Sequence, residues 1–199
     1  MTLLHDCVHD GCHVSELSEK MTMVIDLKKN PVQLYTYRSD EMKKLNNRAE
    51  KTPAMSETIM TEVVYPNDAN PMGMLQGGRL VQWMDTASAI CAQTHAGRIA
   101  VTASIDHVTF KKPAKVGDII SINAKVTRAF ARSIEVYVHA SSRKVISGEI
   151  HPVSEAFFVF VALDDNAHPT AVPKVKPESS FEKKHYKHAL LRKEGKKPA

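Results

Sequence analysis

Cysteine is scarce in this sequence and long apolar runs are absent, and each absence excludes a class of protein. The three cysteines, Cys7, Cys12 and Cys91, are too few and too irregularly spaced for a disulfide framework, which favours a reducing compartment. No stretch approaches the roughly 18 consecutive apolar residues of a membrane span, and the N-terminus carries acidic side chains where a signal peptide is basic and then apolar. We therefore expect a soluble, cytoplasmic protein with no membrane partner.

Metal-capable side chains do cluster near the N-terminus, at His5, Cys7, His9, Cys12 and His13. They lack the paired short spacings of a zinc finger. We expect neither a metal nor a cofactor.

The net charge of +5 is unevenly distributed along the chain. Residues 1–50 contribute −1, residues 51–173 contribute 0 and residues 174–199 contribute +6. A basic tail of this kind is either a solvated surface or a means of attracting a polyanionic ligand such as a coenzyme A phosphate. Because nucleic-acid binding calls for clustered Lys and Arg, the acidic balance of the first 50 residues argues against a DNA-binding segment there.

Changes in hydrophobic periodicity, proline content and charge along the sequence predict one domain with two flanking segments. Residues 1–54 show no sustained periodicity, so we expect a poorly ordered N-terminal extension with one short helix near residues 40–50. Residues 55–173 form the predicted domain, and a proline-rich segment marks its C-terminal boundary. Residues 174–199 are predicted to be a basic tail with an exposed helix over residues 178–193.

Within the domain, the periodicities predict an α+β fold, with one long helix lying on a curved antiparallel sheet. The helical period places a set of apolar residues on one face, and Gly97 supplies a C-terminal stop. That set is Leu80, Trp83, Met84, Ala87, Ile90 and Cys91. Alternating segments follow without a second helix, with a phase slip near Asp106 and His107 that indicates a β-bulge. The continuously apolar run over residues 156–163 is typical of a strand in the interior of a sheet.

An ordered series of motifs over about 120 residues resembles the acyl-CoA thioester hydrolase branch of the hotdog-fold superfamily. The motifs are Pro66-Asn67-Asp68-Ala69-Asn70-Pro71-Met72-Gly73, Gln76-Gly77-Gly78-Arg79-Leu80, Trp83-Met84-Asp85, Val101-Thr102-Ala103-Ser104-Ile105-Asp106, Val116-Gly117-Asp118, Arg132-Ser133-Ile134-Glu135-Val136 and Glu155-Ala156-Phe157-Phe158. The resemblance implies a long central helix wrapped by the sheet, an acyl-CoA substrate, and a homodimer or trimer of dimers. It also implies active sites between subunits, with Asp85 as the catalytic carboxylate and Asn70 as its partner from the other chain. One departure is Gln76, since many relatives carry histidine there.

The residues themselves are compatible with these roles and with simpler ones. Asp85 lies beyond the first helical turn, so the helix dipole does not explain it; it serves either as a salt-bridge partner or as a base or nucleophile. Gly77 and Gly78 permit unusual backbone angles where the helix begins, and free N–H groups there can also form an oxyanion hole, so the two roles are compatible. Asn70 alone is a turn residue.

Arg132 and Ser133, at the head of a predicted strand, are candidates for binding the nucleotide end of the substrate, because arginine forms bidentate bonds with phosphate. A solvated strand end is the alternative. Trp83 and Met84 are assigned to the core.

Two other functions are compatible with such a fold. A dehydratase would need a histidine and a Pro-Gly setting, which the segment Phe110-Lys111-Lys112-Pro113 lacks. The alternative from another class is a non-catalytic acyl-CoA-sensing regulator with a hotdog effector domain. The presence of both Asn70 and Asp85 favours hydrolysis of acyl-CoA to free fatty acid and coenzyme A.

Overall fold

In the computed structural model, the described residues are 49–195 together with two strands nearer the N-terminus, and they belong to two compact units, residues 1–47 and 48–199. In the first unit, β1 (Thr22–Ile25) pairs antiparallel with β2 (Leu34–Tyr37). The sequence did not predict this pair, because four-residue strands are too short to produce a periodic signal. The N-terminal His and Cys cluster lies outside the described residues, and so does most of the helix predicted near residues 40–50.

The second unit holds a five-stranded antiparallel sheet with a long helix against it, so the α+β prediction is confirmed. Its elements are β3 (Glu50–Lys51), β4 (Thr58–Val63), α1 (Gly77–Ala96), β5 (Ala100–Phe110), β6 (Ile119–Ala129), β7 (Ser133–Arg143), β8 (Ile150–Ala162), β9 (Lys174–Val175) and α2 (Ser180–Lys193). The strand order in the sheet is β4-β6-β7-β8-β5. The apolar run predicted to lie in the sheet interior falls in β8, between β7 and β5.

The helix α1 lies on the inner face of the sheet and ends where the sequence indicated. Gly97 adopts the left-handed conformation, φ 69°, which glycine tolerates without strain and which stops the helix. Met84 and Cys91 are fully buried, and Trp83 packs beside the core. Ile90, however, is 46% exposed, so its assignment to the apolar face that packs on the sheet was wrong. No helix in the described part of the chain is long and apolar enough to cross a membrane.

The strand β5 is an edge of the sheet, and its irregularity lies where the phase slip predicted it. The pairing with β8 shifts register between Asp106 and Thr109, and His107 has φ 52°. Two large apolar side chains of this edge strand, Val101 and Ile105, are 44% and 40% exposed. An apolar strand edge of this kind is a surface on which another strand can pair.

The second unit extends beyond both predicted boundaries, 55 and 173. β3 pairs in parallel with β9, and Lys51 donates from Nζ to the carbonyl oxygens of Thr94 (3.3 Å) and His95 (2.8 Å) at the end of α1.

The helix α2 lies on the outer face of the sheet and not free in solvent. Arg192 binds Glu135 in a buried bidentate ion pair, at 2.9 and 2.7 Å, and covers the Phe157 ring at 3.8 Å. The helix predicted over residues 178–193 is present, with exposed residues on one side, but its other side is docked on the sheet. Its local sequence is strongly charged, and the contacts that hold it are made with residues about 57 positions away.

Candidate active site

Asn70 lies in the loop between β4 and α1, where backbone contacts fix the orientation of its side chain. Its Oδ1 accepts hydrogen bonds from the backbone N–H groups of Met72 (3.0 Å) and Met74 (3.1 Å). Since only the oxygen of the amide can accept, Nδ2 must point away from the turn. Among the described residues nothing accepts a hydrogen bond from Nδ2. Asn70 is thus both a turn residue and a side chain that presents two N–H donors.

Polar contacts tie this loop to the start of α1. Asp68 is buried; it accepts from Arg79 Nε at 2.6 Å and from the backbone N–H of Tyr65 at 3.1 Å. Gln76 donates from Nε2 to the carbonyl oxygen of Ala69 at 2.9 Å, immediately before Asn70. The glutamine that replaces the histidine of many relatives therefore helps to position the Asn70 loop.

Gly77 and Gly78 form the first turn of α1 and leave backbone donors free. The residue before them, Gln76, provides no side-chain cap, so the first N–H groups of the helix have no acceptor in the described part of the chain. Neither glycine has a positive φ, so the expectation of unusual backbone angles was wrong. At Gly77 the reason for glycine is close approach, because a Cβ there would lie 3.1 Å from the Phe110 ring. At Gly78 a Cβ would meet nothing within 4 Å.

A groove of about 350 Å³ brings the Asn70 loop and the helix start together. Asn70 and Gly77 line it alongside apolar side chains that include Leu80 and Phe110. Lys111 and Lys112 also line this groove. Polar donors in a mostly apolar groove suit a carbonyl group that carries an acyl chain.

Asp85 lies outside this groove, in a different setting. It is half-buried, and its Oδ1 accepts a hydrogen bond from Thr102 Oγ1 on β5 at 2.8 Å. Asp85 follows Gly77 by eight helical residues, which places it about 12 Å further along the axis at 1.5 Å per residue. A single chain therefore does not bring Asp85 to the groove. No role was predicted for Thr102, although this residue lies inside the motif Val101-Thr102-Ala103-Ser104-Ile105-Asp106.

Arg132 and Ser133 lie at the opposite end of the sheet from Gly77. Arg132 lies in the turn between β6 and β7, and Ser133 is the first residue of β7, close to where β5 begins, whereas Gly77 contacts Phe110 at the other end of β5. Arg132 is exposed and Ser133 half-buried. Both line a second groove, of about 340 Å³, to which α2 contributes Lys193. The sequence offered no signal that Lys193 would lie there, because that contact depends on how α2 docks.

A buried series of polar contacts joins Ser56, His95 and Pro173 and has the properties of a structural contact. Ser56 Oγ lies 3.4 Å from His95 Nδ1, and His95 Nε2 lies 3.1 Å from the carbonyl oxygen of Pro173. Burial lowers the pKa of His95 to about 4 and raises the pKa of the Cys91 thiol to about 12. Both groups therefore stay neutral near pH 7. The part of the chain that the structure describes contains no group of three or more side chains that could hold a metal ion.

Comparison with known proteins identifies the family. Residues 72–147 match the family model described as the thioesterase superfamily. An uncharacterized acyl-CoA thioester hydrolase of Bacillus subtilis is 37% identical over 127 residues, which are 64% of this chain and 74% of that protein. Acetyl-coenzyme A thioesterases of rat and mouse are 38% and 39% identical, but the chain spans only 20% of their length.

Solved structures agree with the sequence matches. An apo-hexameric acyl-CoA thioesterase superposes with a TM-score of 0.72 at 38% identity, covering 73% of this chain and 94% of that one. The Staphylococcus aureus acyl-CoA hydrolase in complex with butyryl coenzyme A, coenzyme A and coenzyme A disulfide has a TM-score of 0.70 at 38% identity, covering 73% and 89%. That enzyme has also been solved with an aspartate, an asparagine or a threonine replaced by alanine. The chain therefore belongs to the acyl-CoA thioester hydrolase branch of the hotdog-fold thioesterase superfamily.

Proposed function

We propose that this protein hydrolyses acyl-CoA thioesters to a free fatty acid and coenzyme A, in active sites that two subunits share. The observation that carries the proposal is the pairing, in one apolar groove, of a fixed asparagine amide with the free N–H groups of a helix start. These donors suit a thioester carbonyl, because attack converts its oxygen into an oxyanion that they can stabilise. A helix start adds partial positive charge at the same point.

Asp85 is proposed as the group that begins the attack, either as general base toward water or as nucleophile. Its Oδ1 is held by Thr102, which leaves Oδ2 to take a proton or to reach a carbonyl carbon. The spacing of these residues supports the assignment. In the Staphylococcus aureus hydrolase, the replaced asparagine and aspartate are 15 residues apart, and the aspartate and threonine 17. Asn70, Asp85 and Thr102 have the same spacings.

The separation of Asp85 from the groove supports a site shared between chains. The carboxylate of one chain lies about 12 Å along α1 from the free amides of that chain, too far to act on a carbonyl held there. It lies beside Thr102 on the apolar free edge of β5, where a second copy can pair. The active oligomer is proposed to be a homodimer or a trimer of dimers, the latter in keeping with the hexameric relative.

Arg132 and Ser133 are proposed to bind the nucleotide end of the substrate. Arg132 is exposed, and its side chain has no acidic partner among the described residues, which leaves its guanidinium free for a phosphate. Their distance from Gly77 in one chain means that they serve a substrate whose acyl end is held by another chain.

Subunit mixing tests the shared site directly. Asn70→Ala and Asp85→Asn chains, each nearly inactive, are mixed under conditions in which subunits exchange, and thiol release is followed with acyl-CoAs of two to eighteen carbons. One site in four then combines a wild-type Asn70 with a wild-type Asp85 from a different chain. We expect the mixture to regain roughly a quarter of wild-type activity.

Two controls make the mixing experiment decisive. Mass spectrometry confirms that chains have exchanged, and a mixture of Asp85→Asn with chains carrying both substitutions must stay inactive. If exchange is complete and the first mixture is no more active than its parents, Asn70 and Asp85 do not serve one site across an interface. If the wild-type protein releases no thiol from any acyl-CoA, the proposed activity itself is wrong.

A further inference from the structure

The turn between β7 and β8 projects beyond the strands on either side of it and carries apolar side chains into solvent. β6 begins opposite Arg143 and β5 ends opposite Ser154, so the turn extends past both neighbours. Ile146 is fully exposed, and Val145 and Ile150 are 64% and 65% exposed. Single exposed apolar residues are common on proteins, but three on one projecting turn indicate a surface that contacts another body.

Contacts within the turn define its conformation. The backbone N–H of Lys144 donates to the carbonyl oxygen of Glu149 at 3.0 Å, and the N–H of Gly148 donates to the carbonyl oxygen of Lys144 at 2.9 Å. Lys144 Nζ also lies 2.7 Å from Glu149 Oε2. These contacts close the turn and leave Val145 and Ile146 on its outside.

The loop between β5 and β6 lies against this hairpin and adds positive charge. Pro113 O lies 3.1 Å from His151 Nε2, and the backbone N–H of Lys111 donates to the carbonyl oxygen of Val153 at 2.8 Å. Residues 111–118 contain three lysines and one acid, and residues 143–150 contain two basic residues and one acid. Five positive charges and two negative charges give this end of the sheet a net charge of +3.

The two acids of these segments do not neutralise the exposed cations. Asp118 is buried and accepts from Ser142 Oγ at 2.9 Å, and Glu149 is paired with Lys144. Lys115 and Arg143 are exposed and form no ion pair within the described residues. Two free cations therefore flank the apolar turn.

We propose that residues 111–118 and 143–150 form a docking surface for an anionic lipid bilayer. Val145 and Ile146 enter the headgroup region, and Lys115 and Arg143 contact the charged groups of the lipids. An apolar tip among cations binds such a surface because apolar burial and electrostatic attraction add. The expectation of no membrane partner came from the lack of a membrane-spanning segment, which docking on a surface does not require.

Charge and shape favour lipid over other partners. In a two-fold contact between copies of this chain the same patch faces itself, so Lys115 and Arg143 would oppose their own copies. A nucleic acid would attract the cations but would leave Val145 and Ile146 unburied, because bases stack on aromatic rings. A projecting apolar tip also needs a matching cavity in a protein partner, whereas a bilayer is fluid and accommodates it.

The docking surface adjoins the groove that contains Asn70 and Gly77. Lys111, Lys112 and Pro113 line that groove and belong to the same loop as Lys115. Docking would therefore bring the groove close to the bilayer, where long acyl chains partition. The binding itself does not rest on the proposed hydrolysis.

The test measures co-sedimentation of the full chain with lipid vesicles. One set of vesicles is phosphatidylcholine alone, and the other also contains about one part in three of phosphatidylserine, each at about 0.1 and about 0.5 M salt. Val145→Ser/Ile146→Ser removes the apolar tip and keeps the charge. Lys115→Gln/Arg143→Gln removes two cations and keeps the tip.

Matched controls carry the same kinds of change elsewhere. Ile59→Ser removes an exposed apolar side chain from β4, at the other edge of the sheet from β5. Lys174→Gln/Lys176→Gln removes two exposed cations beside β3, which contacts the end of α1 far from Gly77. Midpoints of urea unfolding check that every variant is folded.

We expect the wild-type chain to bind the vesicles with phosphatidylserine, and to bind them less at the higher salt. Loss of two cations should weaken this binding about twenty-five-fold, at about fivefold for each cation. Loss of the apolar tip should weaken it at least about tenfold. Both controls should bind as the wild-type chain does.

Three results would overturn the proposal. The first is a wild-type chain that does not bind the anionic vesicles, and the second is an equal loss of binding in the control variants. The third is a change of oligomeric mass in Val145→Ser/Ile146→Ser, measured by analytical ultracentrifugation, which would assign the turn to a contact between copies. Thiol release is scored separately: vesicle binding by a chain that hydrolyses no acyl-CoA refutes hydrolysis alone, and normal hydrolysis without vesicle binding refutes docking alone.

Discussion

Replacing Thr102 tests whether the hydrogen bond to Asp85 matters for turnover, and it also reports how far the site is shielded from water. Thr102→Val keeps the shape and the β-branched preference of a strand residue while removing the hydroxyl that donates to Asp85 Oδ1. Thr102→Ser is the matched control, because it loses a methyl group and keeps the donor. The measured quantities are kcat and KM for butyryl-CoA, with the midpoint of urea unfolding as the check on folding.

The size of the loss follows from the environment of the bond. A hydrogen bond to a charged group contributes about 1.5–3 kcal/mol when water is excluded, which corresponds to a loss in kcat of roughly 10- to 160-fold. If the site stays open to water, as it is in one chain, about 0.5–1 kcal/mol and a loss of roughly two- to fivefold are expected. Because the proposed partner covers this edge of β5, we predict the larger loss, in kcat more than in KM.

Two results would refute this reasoning. Full turnover in Thr102→Val would mean that Asp85 acts without the hydrogen bond that holds its Oδ1. An equal loss in Thr102→Ser and Thr102→Val would assign the effect to packing on β5 and not to the hydroxyl.

Three further predictions concern the same unit. Asp85→Asn should lose at least about a hundredfold in turnover, measured by thiol release, with an unchanged unfolding midpoint. The pKa of His95 is lowered to about 4 by burial, so the unfolded chain binds a proton that the folded chain excludes between about pH 6.5 and 4. Stability should fall by up to about 3 kcal/mol as the pH drops through that window, and His95→Gln should remove this part of the loss in urea titrations at pH 7.5 and 5. A chain beginning at Arg48 should keep its stability and activity, whereas one beginning at Met55 should melt several degrees lower because it loses β3 and the Lys51 contacts to α1.

Patterns among neighbouring residues correctly predicted several elements of the second unit. The apolar face of α1, its stop at Gly97 and the bulge at His107 each depend on neighbouring residues, which the sequence displays directly. The position of β8 inside the sheet could be inferred because both of its faces carry apolar residues. The order of the strands could not be read in this way, since pairing depends on partners far along the chain.

The docking of α2 shows what local patterns leave out. The helix has a weak apolar face, so its sequence resembles a solvated helix. It is nevertheless held on the outer face of the sheet by the buried Arg192–Glu135 ion pair, by the Lys125–Glu182 ion pair and by a hydrogen bond from Arg128 to the Tyr186 carbonyl oxygen. None of these residues alone indicates such a contact. The same limitation hid Lys193, whose neighbourhood is set by that docking.

For the candidate site, the resemblance supplied Asn70 and Asp85, and the structure supplied what surrounds them. A threonine in a strand is ordinary, so Thr102 gave no signal until its hydroxyl was found on the Asp85 carboxylate. The unusual backbone angles expected at Gly77 are absent, since its backbone is helical and the Phe110 ring is what limits its size, whereas its role as an oxyanion donor stays a prediction. Contacts of this kind exist only in the folded chain.

Ile90, which was wrongly assigned to the face of α1 that packs on the sheet, indicates where a second subunit could bind near the candidate active site. Helical periodicity correctly identified it as part of an apolar set, but the sheet does not cover it, and it lies 46% exposed, as Val101 does at 44% on the free edge of β5. Apolar side chains exposed on a helix and on an adjacent strand edge favour a partner that buries both. Asp85 and Thr102 belong to the same two elements, α1 and β5. A contact that covered these apolar side chains would also exclude water from the carboxylate, so the assembly and the chemistry proposed here depend on one surface.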